Sequence, residues 1–335
     1  MSHLGKPKGR DMAFSMKPVA ERLQIYVPDC KVELIDDFLS QNEQFTTQSE
    51  KTIYVLENTR FYEGEKKNDP QFSKQLADLA DVFVDDAFGS VHRAHASTVG
   101  VAAFLPSYGG LLLKREVSMI KKVIEAPERP VVAIIAGAKV SSKIGLIEKL
   151  MTVADSVLIG GAMTNNFLKA KGMEIGKGLV ELDFVPEAKR LFDAAASQNK
   201  HIILPVDRRI GTQTDETSTP TVKRVEDVGA NDETLDIGPE TEKLFADIIS
   251  KAKTIIWNGP VGYFENPQFA KGSIAIYDAI VNNPSAVSVL GGGDTLSVIK
   301  KLPNKDKITH ISTGGGAMLE LIEKGTLPGL EALNK

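Results

Sequence analysis

One cysteine in 335 residues, Cys30, has no partner for an intramolecular disulfide and belongs to no cysteine cluster for a metal. Such sparing use of thiol fits a reducing compartment, and beside Pro28 and Asp29 it reads as a packing residue. No apolar run approaches the roughly 18 residues of a membrane span. The polar start, Met1-Ser-His-Leu-Gly-Lys-Pro-Lys-Gly-Arg10, carries no apolar segment of a signal peptide. The cytoplasm is therefore the expected location, with no membrane contact. Excess positive charge is also lacking. Lys and Arg number 40 against 44 Asp and Glu, a net charge of −4 that argues against a general nucleic-acid surface. There is no solenoid-period repeat, no low-complexity tract, and no Ser/His/Asp or Cys/His arrangement for covalent catalysis.

What remains is ordinary globular material, 42% hydrophobic and 25% charged, long enough for two domains with a core each. Weak helical periodicity runs through residues 18–24 and again through 32–39. Residues 53–57 and 82–85 read as strands, with a helix over 71–80 between them. A charged amphipathic helix over 112–125, stopped by Pro127 and Pro130, is the natural linker between two halves. In the second half apolar strands end in glycine and meet helices five times, at Gly137, Gly160-Gly161, Gly259, Gly291-Gly292-Gly293 and Gly314-Gly315-Gly316. Residues 202–207 form a further strand without the glycines. Strands alternating with helices imply a parallel sheet whose strand-to-helix loops share one edge, where ligands bind. The polar stretch 207–233 reads as a surface excursion able to hold a small sheet.

The stretch from Val131 to Lys149 organises the chain. Val131-Val-Ala-Ile-Ile-Ala136 is a buried strand, Gly137 permits a sharp turn, and Ser141 or Ser142 is expected to cap the helix that follows. On the first turn of such a helix Lys139 and Lys143, four apart, share a face. Free N–H groups and the helix dipole attract anions, and two ammonium groups add to that. On this segment alone two readings stay open, a phosphate seat or two solvated lysines. It is neither a Walker A loop nor a Gly-x-Gly-x-x-Gly fingerprint.

Other motifs bear on the choice. Asp294-Thr295 follow three glycines at a strand end, where a carboxylate suits Mg²⁺ bound with nucleotide phosphates or serves as a plain N-cap. Asn258-Gly-Pro-Val-Gly-Tyr-Phe-Glu265 sets a carboxylate after a tight turn, in a place to accept ribose hydroxyls. Thr313-Gly-Gly-Gly316 offers successive N–H groups as an anion nest. With Lys139 these suit a phosphoryl group in flight, because phosphoryl transfer needs positioning and charge neutralisation more than covalent chemistry. In the first half His3, Lys6, Arg60, His92, Arg93 and His95 fall on strand-end loops. Arginine forks match phosphate and carboxylate oxygens, which points to a small substrate with at least two negative charges. A zinc reading of His92 and His95 lacks further ligands. His201 and His310 flank apolar strands and read as structural.

Taken together, Ser2-His-Leu-Gly-Lys-Pro, Leu56-Glu-Asn-Thr-Arg-Phe, Asp86-Ala-Phe-Gly, His92-Arg-Ala-His, Gly137-Ala-Lys-Val, Trp257-Asn-Gly-Pro, Gly291-Gly-Gly-Asp-Thr and His310-Ile-Ser-Thr-Gly-Gly-Gly-Ala closely resemble the phosphoglycerate kinase family, in order and over the whole chain. The resemblance implies an α/β fold of two Rossmann-like domains with parallel sheets, joined by a hinge helix. It places a phosphoglycerate-binding domain at 1–111, completed by about 318–335, a linking helix at 112–127 and a nucleotide-binding domain at 128–317. It also implies reversible phosphoryl transfer between ATP and 3-phosphoglycerate in glycolysis and gluconeogenesis, with Mg²⁺, in a monomer. By motif, His3, Leu4, Gly5, Lys6, Arg60 and Arg93 would bind phosphoglycerate. Lys139, with the Gly315 and Gly316 N–H groups, would stabilise the transferring phosphoryl. Lys143, Gly292, Gly293, Asp294 and Thr295 would hold nucleotide phosphates, Asp294 with the metal, and Thr234, Asn258 and Glu265 would lie nearer the nucleoside.

The family's usual N-terminal strand, Asp-Phe-Asn loop, helix and second strand have no counterpart here, and Met1 falls where that second strand ends. An incomplete N-terminal domain with open sheet edges is therefore expected, and with it impaired catalysis; the alternative reading is a truncated nucleotide-binding remnant. Lys6 stands where arginine is commoner, and Thr234 where glycine is usual.

Overall fold

The computed structural model describes residues 1–40, 51–212, 217 and 219–334. The chain divides into two compact units, Met1–Lys114 with Thr326–Lys335, and Arg115–Gly325. The division falls inside the helix Leu111–Glu125. A return at 318 would cut the helix Gly315–Lys324, which packs against the helix Ile144–Val153, so the second unit runs on to Gly325.

In the first unit strand β1 (Lys31–Ile35) pairs in parallel with β2 (Thr52–Leu56), and β3 (Phe83–Asp85) pairs in parallel with β4 (Ser107–Gly109). The helical reading of 32–39 is thus corrected. Lys31-Val-Glu-Leu-Ile35 holds five consecutive pairings with β2, and the gain from ladder and packing outweighs a weak helical period. The helix before it runs over Lys17–Tyr26, and Pro70–Ala77 is a helix with Asp69 capping the Phe72 N–H. The core gathers Ile35, Phe38, Leu56, Phe72, Leu76 and Phe83, and Ala332 of the final helix (Pro328–Leu333) joins it. Among the described residues β2 and β3 each have one strand neighbour, as the expected open edges require. A cavity of about 590 Å³ lies between them, lined by Thr52, Tyr54 and Leu56 on one side and Phe83 and Val84 on the other.

The second unit is built on β5 (Val131–Ala136), β6 (Ser156–Gly160), β7 (His201–Ile203), β8 (Asp207–Ile210), β9 (Thr221–Arg224), β10 (Thr234–Ile237), β11 (Thr254–Asn258), β12 (Val287–Gly291) and β13 (His310–Ile311). Six of these form one parallel sheet in the order β13-β12-β11-β5-β6-β7. The order reverses between β5 and β11, which makes their ends the switch point where a doubly wound sheet binds ligands. Every residue of β5 is buried, because helices cover both faces. Val132, Ile134, Ala136, Ile255 and Trp257 pack on the helices Pro239–Lys251 and Lys271–Val281 through Phe245, Ile249, Ile276 and Tyr277. The polar excursion supplies β8 and β9, which form a three-stranded antiparallel sheet with β10 just after it, in the order β10-β8-β9; residues 213–216 and 218 of the excursion lie outside the described residues.

Candidate active site

The glycine-ended strands bring their loops together at the switch point. Gly259, after β11, has φ +91°, and a Cβ there would sit 2.0 Å from the Ala136 carbonyl oxygen of β5. Only glycine allows the two strand ends to approach so closely. In the same way a Cβ on Gly315 would meet the Gly292 Cα at 2.5 Å, so the loop after β13 lies directly against the loop after β12.

A cavity of about 290 Å³ opens over this junction, lined by Lys139, Lys143, Asn258, Gly292, Gly293, Asp294 and Thr295. Lys139 and Lys143 do share it, but not as one face of a helix. Residues 141–143 form a turn, and the helix begins only at Ile144, with no side-chain cap. Ser141 instead donates to Glu181 through its N–H (2.9 Å) and hydroxyl (2.7 Å), and Ser142 donates to the Lys139 carbonyl. The turn is therefore tied down by side chains before the helix starts. Lys139 is exposed, whereas Lys143 is largely enclosed and its Nζ donates to Asn258 Oδ1 at 2.5 Å. Burial pulls the Lys143 ammonium down to about 8, while the Asp294 carboxylate pushes it back up.

Two residues turn out to be held by the protein itself. Asn258 donates to the Gly291 carbonyl at 2.8 Å while accepting from Lys143, so it positions the lysine at this end of the cleft. The Thr295 hydroxyl accepts the Gly259 N–H at 2.7 Å and joins two loops. Asp294 is exposed in the first turn of the helix Gly293–Ile299. Among the described residues no three His, Cys, Asp or Glu side chains gather as a metal cage, so a cation here would have Asp294 and ligand oxygens as partners.

Asp294 also lines a second cavity of about 400 Å³, contiguous with the first through Gly137, Ala138 and Pro260. Thr234 and Glu265 are there, between the apolar walls of Leu235 and Val261. Arg208, a residue that sequence reasoning passed over, enters the same cavity.

The nest after β13 rests on another residue that was missed, Glu116. Its carboxylate is fully buried and accepts from the Thr313 N–H (2.7 Å) and hydroxyl (2.8 Å), and pairs with His310 Nε2 at 2.7 Å. Burial pushes this carboxyl up, but the hydrogen bonds from His310 and Thr313 prevail and hold it below the usual range. Thr313 and Gly314 thus spend their N–H groups inside the protein, Gly314 on Ser312 Oγ. Gly315 and Gly316, the first two residues of a helix, have no intrahelical partner for theirs. A signal for Glu116 exists in the sequence. It stands in register with Leu113, Ile120 and Val123 on the apolar stripe, where a carboxylate needs a buried partner.

In the first unit the loop after β2 clamps the chain start. Asn58 Nδ2 donates to the Leu4 and Phe14 carbonyls at 2.8 Å, the Thr59 N–H to the Ser2 carbonyl at 3.1 Å, and Arg60 Nη1 to the Gly5 carbonyl at 2.6 Å. Buried Glu57 accepts from Ser15 Oγ and from the Met16 and Asn58 N–H groups. His3, Arg60 and Arg93 come together, and His95 and Lys66 join them. Burial, then the Arg60 and Arg93 charges, pull both His3 and His95 down to about 4, so both imidazoles are neutral at pH 7. Arg60 keeps a buried Nε with no partner among the described residues. Lys6 is exposed, and no hydrogen bond or ion pair among the described residues holds it to this cluster. The result is a concentrated positive field with donors to spare, suited to a polyanion.

Among the described residues no helix is long and apolar enough to cross a membrane. The family model described as phosphoglycerate kinase matches residues 1–325. A phosphoglycerate kinase of Dictyoglomus turgidum is 45% identical over 99% of this chain and 84% of its own length, and one of Finegoldia magna 46% identical over 100% and 86%. The solved structure of phosphoglycerate kinase from Coxiella burnetii superposes with a TM-score of 0.88 at 38% identity, covering 99% of this chain and 85% of that one. The Pyrococcus horikoshii OT3 enzyme gives 0.85 at 32%, over 99% of this chain and 85% of that one. None of these matches supports reading the chain as an impaired remnant.

Proposed function

The chain belongs to the phosphoglycerate kinase family, and on that premise we propose that it transfers a phosphoryl group reversibly between ATP and 3-phosphoglycerate. The observation that carries the assignment of the nucleotide side is the cavity at the β5–β11 switch point. There a largely buried lysine, an exposed lysine and a carboxylate face one space. In this reading Lys143 and the backbone of Gly292 and Gly293 hold the nucleotide phosphates, and the nucleoside extends toward Thr234 and Glu265. Asp294 would hold Mg²⁺, whose chemistry is to neutralise phosphate charge as it redistributes. The His3, Arg60 and Arg93 cluster takes 3-phosphoglycerate, with Leu4 and Gly5 shaping the loop and Lys6 at its rim. The first unit is then the phosphoglycerate-binding domain, the second the nucleotide-binding domain, and the helix over 112–127 links them.

In the forward step a carboxylate oxygen of 3-phosphoglycerate attacks the γ-phosphorus, the bond to the β–γ bridging oxygen breaks, and ADP leaves with that electron pair. No proton moves at the reacting atoms. The protein's task is electrostatic, and we assign it to the Lys139 ammonium and to the Gly315 and Gly316 N–H groups, the latter held in place by the helix start before the charge spreads. Neutral His3 can donate a hydrogen bond at pH 7 without adding to the cationic field. We take the protein to work as a cytoplasmic monomer.

The test is to incubate the purified chain with MgATP and 3-phosphoglycerate and trap the acyl phosphate with hydroxylamine. Hydroxamate that requires both substrates is expected. None, with any purine nucleoside triphosphate, would refute the assignment.

A further inference from the structure

The role given to Lys139 demands a fixed ammonium, yet among the described residues no hydrogen bond or ion pair holds it. Its place is therefore set by the main chain of the turn over 139–143. Lys143 differs, because its Nζ has a hold of its own on Asn258. The helix that follows gives the turn little help, since it begins at Ile144 with no side-chain cap. The turn is tied instead to Glu181, 40 residues beyond Ser141. One carboxylate oxygen accepts the Ser141 N–H at 2.9 Å and the other accepts the Ser141 hydroxyl at 2.7 Å. These bonds hold the Glu181 carboxyl below the usual range, so it is ionised at pH 7, and the Lys139 charge acts on it through space.

Glu181 is itself held. Buried Asn166, on the helix Thr164–Ala170, brackets its main chain: Oδ1 accepts the Glu181 N–H at 3.2 Å and Nδ2 donates to the Glu181 carbonyl at 2.6 Å. The neighbouring Asn165 donates to the Leu179 carbonyl at 2.9 Å. Lys177, Gly178 and Leu179 of this same segment wall the 400 Å³ cavity. Helix, segment and turn are thus joined in series, and a carboxylate makes the joint between segment and turn.

We propose that Glu181 is a positioning residue for phosphoryl transfer: through Ser141 it fixes the turn that aims Lys139 at the reacting phosphoryl. The proposal rests on the nucleotide reading of this cleft. A group that meets charge as it develops has to be in place beforehand, and a displacement of about 1 Å can cost on the order of 100-fold in rate. Alanine at 181 leaves the Ser141 N–H and hydroxyl to water and the turn free to relax. Glutamine keeps an acceptor for the N–H and a polar partner for the hydroxyl, without the charge.

The experiment measures kcat and KM of the whole chain with MgATP and 3-phosphoglycerate, reading acyl phosphate. It compares the wild type with Glu181→Ala, Glu181→Gln, Ser141→Ala and the double alanine variant. Glu181→Ala should lower kcat by about ten-fold to 100-fold. KM for 3-phosphoglycerate, whose cluster belongs to the first unit, should stay within about two-fold. KM for MgATP should rise less than kcat falls, because Lys143 keeps its bond to Asn258. Glu181→Gln should recover most of the lost kcat. Ser141→Ala should slow the enzyme less than Glu181→Ala does, and adding it to Glu181→Ala should cost little more, since both cut one contact. A merely structural role would lower melting temperature and active fraction while leaving kcat per folded molecule unchanged. A wild-type kcat in folded Glu181→Ala overturns the proposal. So does glutamine as slow as alanine, which would make charge rather than the tie the cause, and so do additive losses in the double variant. If Glu181→Ala does not fold, Ser141→Ala decides, and a wild-type kcat there overturns the proposal. If the wild type forms no acyl phosphate, the nucleotide reading itself fails, an outcome distinct from a misassigned Glu181.

Discussion

Lys143 supplies the sharpest quantitative test, because its proton should track the ligand. With the ammonium pulled down to about 8, roughly nine-tenths of the free protein carries a neutral Lys143 at pH 9. Nucleotide phosphates beside Nζ favour the charged form, so binding at pH 9 should draw in close to one proton. The same linkage makes affinity fall about ten-fold between pH 7 and pH 9, since each pH unit above the free value is worth about 1.4 kcal/mol. Calorimetry at pH 9 in two buffers of different ionisation enthalpy reads the proton directly. Lys143→Met should abolish the uptake and weaken binding at pH 7 by about ten-fold or more, the worth of a charge-assisted hydrogen bond. A buffer-independent enthalpy at pH 9, or equal uptake by Lys143→Met, would refute the reasoning. The stability effect has a definite sign. The folded value lies below the unfolded 10.5, so the unfolded chain binds more protons between pH 8 and 10.5 and stability rises with pH across that window, by up to about 3 kcal/mol.

Two further outcomes follow from the buried groups. Glu116→Ala removes the acceptor for His310 and for both Thr313 donors, and should cost about 3–5 kcal/mol in urea unfolding, as for a broken buried pair; a loss under about 1 kcal/mol would show that the network is not what anchors the nest. Because the Glu116 carboxyl is held low, its contribution is present above the unfolded carboxylate range and fades only as pH falls through the lower folded value. His3 and His95 act in a higher window: both stay neutral when folded down to about pH 4 while the unfolded chain protonates near 6.5. Stability should therefore drop as pH falls from about 6.5 to 4, and the double variant His3→Asn, His95→Asn should flatten that slope in a melting-temperature series.

Much of the candidate site in the second unit was legible because glycine carries backbone information. Glycines at 137, 259, 292 and 315 marked the strand ends, and a Cβ at 259 or 315 would collide with a neighbouring backbone. Residues 32–35 were misread as helical because so short a run has a weak period, and pairing with β2 decided their conformation. The i, i+4 rule for Lys139 and Lys143 assumed a helix that begins only after them, at Ile144.

By itself the sequence determined the class of fold, the edge of the sheet where the glycine-ended loops gather and the residue types found there, since alternation, glycine and charge are local properties of the chain. Which lysine is enclosed and which exposed, that Asn258 and Thr295 brace loops, that Glu116 anchors the nest and that buried Arg208 lines a cavity were decided by tertiary structure alone. Burial and partnership join residues far apart in the chain, and the free energy of a charged group is set by the neighbours that replace its water.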